Sequence, residues 1–114
     1  VTEVYSTWGA FLALNTVAGT VQCWGDSWSG GECASINFTG VTEVYSTWGA
    51  FLALNTVAGT VQCWGDSWSG GECASINFSE VTEVYSTHAA FLALNTVAGA
   101  GQCWGDSRYG GECA

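Results

Sequence analysis

Hydrophobic and polar positions fall in short bursts along this chain, separated by glycine and small polar residues. Val1-Thr2-Glu3-Val4-Tyr5-Ser6-Thr7-Trp8 is β-branched and aromatic with mixed polarity, which predicts a strand with one face on a core. After Gly9, Ala10-Phe11-Leu12-Ala13-Leu14 is continuously apolar and short, the pattern of a strand buried on both faces and therefore the central one. Asn15-Thr16-Val17-Ala18-Gly19 supplies a hairpin turn, since Asn and Gly both tolerate positive φ. Thr20-Val21-Gln22-Cys23-Trp24 alternates as a third strand, which Gly25-Asp26-Ser27 ends. Gly30-Gly31 permits a backbone turn closed to other residues, and residues 32–38 read as a short fourth strand or an extended connector.

This block returns with a period of 40 residues. Residues 1–38 are identical to 41–78, and 81–114 differ from 41–74 only at His88, Ala89, Ala100, Gly101, Arg108 and Tyr109. The domain reading is thus three tandem repeats, 1–40, 41–80 and 81–114, the third stopping short of a full unit. Near-identical units predict an array in which each repeat buries its apolar face on the next, and a sheet of three or four short strands is marginal unless it does so. The six changes in the third repeat remove apolar surface, which reads as a terminal cap, with simple sequence drift as the alternative.

Charge narrows the partners. Ten carboxylates against one Arg and no Lys give a net charge of -9, which repels phosphate backbones and anionic lipid, so nucleic acid is excluded as a partner. There is no leader-like segment and no apolar run near the roughly 18 residues of a spanning helix, so the expectation is a soluble chain without a membrane span. Sixteen Gly, seven Trp and five Phe with no Pro fit glycine-turned strands with large rings between sheets.

Six cysteines at constant spacing, Cys23, Cys33, Cys63, Cys73, Cys103 and Cys113, predict a disulfide framework and an oxidising compartment, extracellular or in the secretory lumen. Repeat symmetry leaves two pairings. Either each repeat closes its own bridge, or Cys33–Cys63 and Cys73–Cys103 link neighbours and free Cys23 and Cys113 for other chains. The glycine turn between the two cysteines of a unit favours the first. Asn37-Phe38-Thr39 and Asn77-Phe78-Ser79 are N-glycosylation sequons at the same place in successive units, which fits the secretory reading.

Catalytic chemistry finds little support. His88 is the sole histidine and stands where the other repeats have Trp, so no nucleophile–base pair recurs. Glu3, Asp26 and Glu32 with their copies read as solvated acids, and Asp26 as a cap for its own loop. Their spacing matches no calcium motif, and Cys-x9-Cys lacks the tight ligand pair of a zinc site, so neither metal nor cofactor is expected. Trp24 and Trp64 read as wedges between repeats. Trp28 and Trp68, in polar loops beside Asp26 and Asp66, read as exposed rings able to stack on a sugar or a partner, with Arg108 and Tyr109 standing at the places of Trp68 and Ser69 in the third repeat.

The succession Val-Tyr-Ser, Ala-Phe-Leu-Ala-Leu and Gly19-Thr20-Val21-Gln22-Cys23-Trp24-Gly25-Asp26-Ser27, through Gly30-Gly31, resembles the repeat of the regulator of chromosome condensation superfamily, and the resemblance covers nearly all of each unit. Its period is nearer to secreted and ectodomain relatives. The resemblance implies blades of antiparallel sheet around an axis and activities of protein binding, although three blades cannot close a ring. The expected fold is all-β, three tandem antiparallel repeats, blade-like or an open array, stapled by disulfides. The expected function is a non-enzymatic structural or interaction protein, a secreted glycoprotein that assembles, as a filament for instance, by self-association or through further repeats of the same polypeptide. The alternative is a lectin-like propeller built from several chains, with a glycan as its partner.

Overall fold

A computed structural model describes residues 3–15, 17–34, 36, 41, 43–55, 60–73, 76, 81, 83–95 and 99–112. Nine strands are described: β1 (Glu3–Ser6), β2 (Ala10–Asn15), β3 (Thr20–Gly25), β4 (Glu43–Ser46), β5 (Ala50–Asn55), β6 (Thr60–Gly65), β7 (Glu83–Ser86), β8 (Ala90–Asn95) and β9 (Ala100–Gly105). They form three antiparallel sheets in the orders β1-β2-β3, β4-β5-β6 and β7-β8-β9. The continuously apolar stretch is the central strand of each, as its pattern predicts. Among the described residues of 32–38, none is in a strand, so the connector alternative holds there and each sheet has three strands.

Register decides which side chains share a face, because successive residues of a strand alternate. Tyr5 lies opposite Leu12 and Leu12 opposite Cys23, while Leu14 lies opposite Val21. Together with Ala10 they make the forward face of the first sheet. Val4 lies opposite Ala13 and Phe11 opposite Trp24, which makes the back face. The core sits between sheets. Ala10, Leu12, Leu14 and Cys33 pack on Val44, Phe51, Ala53 and Trp64, so the forward face of sheet 1 meets the back face of sheet 2. The same faces of sheets 2 and 3 meet through Ala50, Leu52, Leu54 and Cys73 against Val84, Phe91, Ala93 and Trp104.

The middle sheet is covered on both sides and the outer two on one. Phe51 is fully buried while Phe11 is 49% exposed, and Trp64 is 8% exposed against 50% for Trp24.

Each third strand ends in a short 3-10 turn, Ser27–Ser29, Ser67–Ser69 and Ser107–Tyr109. Asp26 Oδ1 accepts the Trp28 N–H at 3.0 Å, and Asp66 and Asp106 repeat the cap on Trp68 and Arg108. The turn closes on a left-handed glycine, Gly30 at φ 97°, after which the Gly31 N–H donates to Asp26 O. Chain reversal brings Cys33 back to Cys23. The disulfides Cys23–Cys33 and Cys63–Cys73 each span Cα atoms 5.9 Å apart. Cys103 is disulfide-bonded as well, and Cys113 lies outside the described residues. Closing a loop of this length stabilises the fold by about 2–3 kcal/mol on the chain-entropy account.

Candidate functional site

The junction between sheets has three repeated parts. Phe51 covers Gly30 so closely that a Cβ there would sit 2.6 Å from its ring, and Phe91 covers Gly70 likewise at 2.5 Å. Beside it, Trp64 Nε1–H donates to Gly30 O at 3.2 Å, and Trp104 Nε1–H to Gly70 O at the same distance. Trp64 is a wedge as the sequence predicts and Trp104 is its copy, whereas Trp24, expected to be a wedge as well, is half-exposed because, among the described residues, no sheet packs on the back face of sheet 1. At the loop after the first strand, a backbone ladder crosses the sheets: Trp8 N–H donates to Trp48 O at 2.7 Å and Trp48 N–H to His88 O at 2.6 Å. The rings of Trp8, Trp48 and His88 follow it, with centroids 6.0 and 4.5 Å apart.

Both ends of the array keep one half of this junction. At the start, the back face of sheet 1 presents Val4, Phe11 and Trp24 to solvent. At the finish, the forward face of sheet 3 holds an apolar hollow of about 250 Å³ lined by Tyr85, Thr87, Leu92 and Gly110 among others. A Cβ on Gly110 would meet nothing nearer than Thr87 at 4.0 Å, which is the space that a Phe fills at Gly30 and Gly70.

A second feature is a groove of about 620 Å³ where the three repeats converge, lined by Ser6-Thr7-Trp8, Ser46-Thr47-Trp48 and Ser86-Thr87-His88. Thr7 Oγ1 donates to Ser29 O at 2.7 Å, and Thr47 and Thr87 do the same to Ser69 and Tyr109, which ties each corner to its own 3-10 turn. Along the first strands, Tyr5, Tyr45 and Tyr85 donate from their hydroxyls to Glu3, Glu43 and Glu83. Burial and then the Glu3 carboxylate push the Tyr5 hydroxyl up to about 12. Burial and Glu43 push Tyr45 up as well, and at Tyr85 the hydrogen bond to Glu83 is the main cause of a rise.

Of the residues singled out from the sequence, Trp28 and Trp68 are 79% and 75% exposed on their turns. Asp26 and Asp66 are brought to them, but as caps of the turn backbone. Arg108 pairs with Asp106 at 2.9 Å, which lowers the Asp106 carboxyl, and its guanidinium carbon lies 5.8 Å from the centre of the Tyr109 ring. Asn37 and Asn77 lie outside the described residues. Sequence reasoning placed Trp8 in a strand, Phe11 in the central strand and Gly30 in a turn, and gave neither them nor Trp48 a part in the junction between sheets. The signal that could have found Phe11 and Gly30 is the invariance, in all three repeats, of a Phe and a Gly that close packing pairs across units.

Four of the six changes in the third repeat meet at one corner. A Cβ on Gly49 would approach Ser69 Oγ to 2.9 Å. The third repeat carries that Cβ as Ala89 and replaces the facing serine with Tyr109, whose ring lies edge-on to His88 at 6.4 Å. The substitutions are therefore a coupled repacking of one contact.

Fold and site together define an all-β array of disulfide-stapled, three-stranded sheets whose internal contacts run from one repeat to the next. No protein-family model matches the chain, and no curated protein matches it. Among solved structures, it is similar to the ectodomain of the receptor kinase CR4 from Physcomitrella patens, with a TM-score of 0.63 and 21% sequence identity over 89% of this chain. The chain spans 29% of that ectodomain. Among the described residues no helix is long and apolar enough to cross a membrane, and no group of three or more His, Cys, Asp or Glu is placed to hold a metal ion.

Proposed function

We propose that this chain is a non-enzymatic extracellular interaction module that builds an assembly through repeat-to-repeat contacts, with blades of the kind its resemblance to the regulator of chromosome condensation superfamily implies. The observation that carries the reading is that the whole described core lies between sheets, and that the two outermost faces are the same faces that are buried inside. A heterologous contact of this sort continues from chain to chain until it closes or forms a filament. The disulfides support an oxidising compartment, and the ectodomain likeness is in keeping with it. Electron microscopy of the native, unreduced chain, with mass determination before and after reduction, tests the proposal. Particles of several chains that survive reduction of any interchain bridge are expected. A population that stays at the 11.9 kDa of one chain at high concentration refutes it.

A lectin-like reading is supported by the exposed rings of Trp28 and Trp68 on equivalent turns. Binding on a glycan array that disappears when Trp28→Ala and Trp68→Ala are combined would establish it, and an array without hits removes it.

A further inference from the structure

We propose that the forward face of sheet 3 docks the back face of sheet 1 of a second copy of this chain, through a junction that repeats the two junctions inside it. This rests on the assembly reading above and supplies its contacts. The occupant is a second copy because the open back face carries the same side chains, Val4, Phe11, Ala13 and Trp24, as the faces that sheets 2 and 3 bury: Val44, Phe51, Ala53 and Trp64 in one, Val84, Phe91, Ala93 and Trp104 in the other. Their receptor is also conserved in kind. Sheet 3 keeps Tyr85, Ala90, Leu92, Leu94 and Cys103 at the places where Tyr45, Ala50, Leu52, Leu54 and Cys63 receive the next sheet; Gly101 stands in place of Val61, and Cys73 and Ile76 have no counterpart among the described residues.

Each internal contact then has its counterpart across the copies. Phe11 of the second copy covers Gly110, as Phe51 covers Gly30. The Trp24 Nε1–H donates to Gly110 O, as Trp64 does to Gly30 O. The His88 N–H donates to Trp8 O and extends the backbone ladder, with the imidazole against the exposed Trp8 ring. Tyr109 leans on His88 and leaves Gly110 open. Two differences make this junction weaker than the internal ones. Gly101 contributes no side chain where Val61 does, and the second copy is not tethered by the chain, so association costs translational and rotational freedom that the internal junctions do not lose.

The test is sedimentation of the oxidised chain over a concentration series with two face variants. Trp24→Arg blocks the back face and Leu92→Lys the forward face; Val4→Lys is a second back-face change at a residue already in solvent. A buried aromatic anchor at an interface predicts that Trp24→Arg weakens self-association by about 30-fold or more. The wild type is expected to sediment in multiples of one chain, each variant alone as a single chain, and an equal mixture of Trp24→Arg and Leu92→Lys as a dimer that grows no further. Only a contact between two different faces gives that last result. Wild-type assembly that both variants retain, or that Leu92→Lys alone retains, overturns this junction and leaves the assembly reading standing. A wild type that never exceeds one chain overturns both.

Discussion

The first and second sheets have the same sequence and different environments. Val4, Phe11 and Trp24 face solvent, whereas Val44, Phe51 and Trp64, their copies 40 positions later, are buried. Strand bounds, register, caps and disulfide repeat between the two, so nothing local separates them. The contrast shows that alternation along a strand encodes which face a residue joins, and the neighbouring sheet decides whether that face is dry. Each repeat carries half of two cores and completes neither.

The sharpest way to break this comparison is to truncate the same ring in both sheets. Phe51→Ala should lose about 3–5 kcal/mol, the usual cost of deleting a fully buried aromatic side chain. Phe11→Ala in dilute chain should lose about 1–2 kcal/mol, since half its ring already meets water. Urea denaturation followed by tryptophan fluorescence measures both, and equal losses would mean that the first sheet's back face is covered in solution.

The glycines that receive those rings give the next effect. Alanine at Gly30 or Gly110 forces a side chain into left-handed backbone, at φ 97° and 103°, for about 1–2 kcal/mol. At Gly30 the new Cβ also meets Phe51, adding about 1–3 kcal/mol of overpacking. Gly30→Ala should therefore lower the thermal midpoint more than Gly110→Ala, and identical shifts would show that the Phe51 contact is not closed.

The smallest effect is alkaline. A tyrosine whose folded pKa lies above its unfolded value of about 10 stabilises the fold in full below that pH. For Tyr5 the contribution is lost as pH rises from about 10 through about 12. Spectrophotometric titration should show phenolate absorbance at Tyr5 and Tyr45 delayed in the folded chain and restored to ordinary pH by denaturant. Tyr5→Phe should remove one delayed step, and a folded curve that overlays the denatured one would contradict the Glu3 and Glu43 contacts.

Much of one repeat was legible in the sequence. The apolar run Ala10 to Leu14 is the central strand because no polar residue interrupts it, and Asp26 before Ser27 is a cap because a short carboxylate reaches the N–H two residues on. The wedge role of Trp64 was legible from the size of the ring. Less visible was everything that joins residues some 20 to 40 positions apart. Gly30 reads as a turn glycine from its neighbours, yet its lack of a side chain also makes the seat for Phe51, which no local window contains. Trp8 reads as the end of a strand; its place in the ladder to Trp48 and His88 depends on the angle at which two sheets meet. The corner changes at Ala89 and Tyr109 look like unrelated drift until Gly49 is seen to face Ser69.

The junction contacts join each repeat to the next, and the sheets that they join are nearly interchangeable. Removing residues 41–80 in frame would set the forward face of the first sheet directly against the back face of the third, with Ala10, Leu12 and Leu14 meeting Val84, Phe91, Ala93 and Trp104, the side chains they already expect. Adding a unit would do the same in the other direction. Recombination between the repeated stretches of the gene can thus lengthen or shorten this protein without inventing a new contact, which makes the number of sheets a quantity that inheritance can adjust while the packing stays as it is.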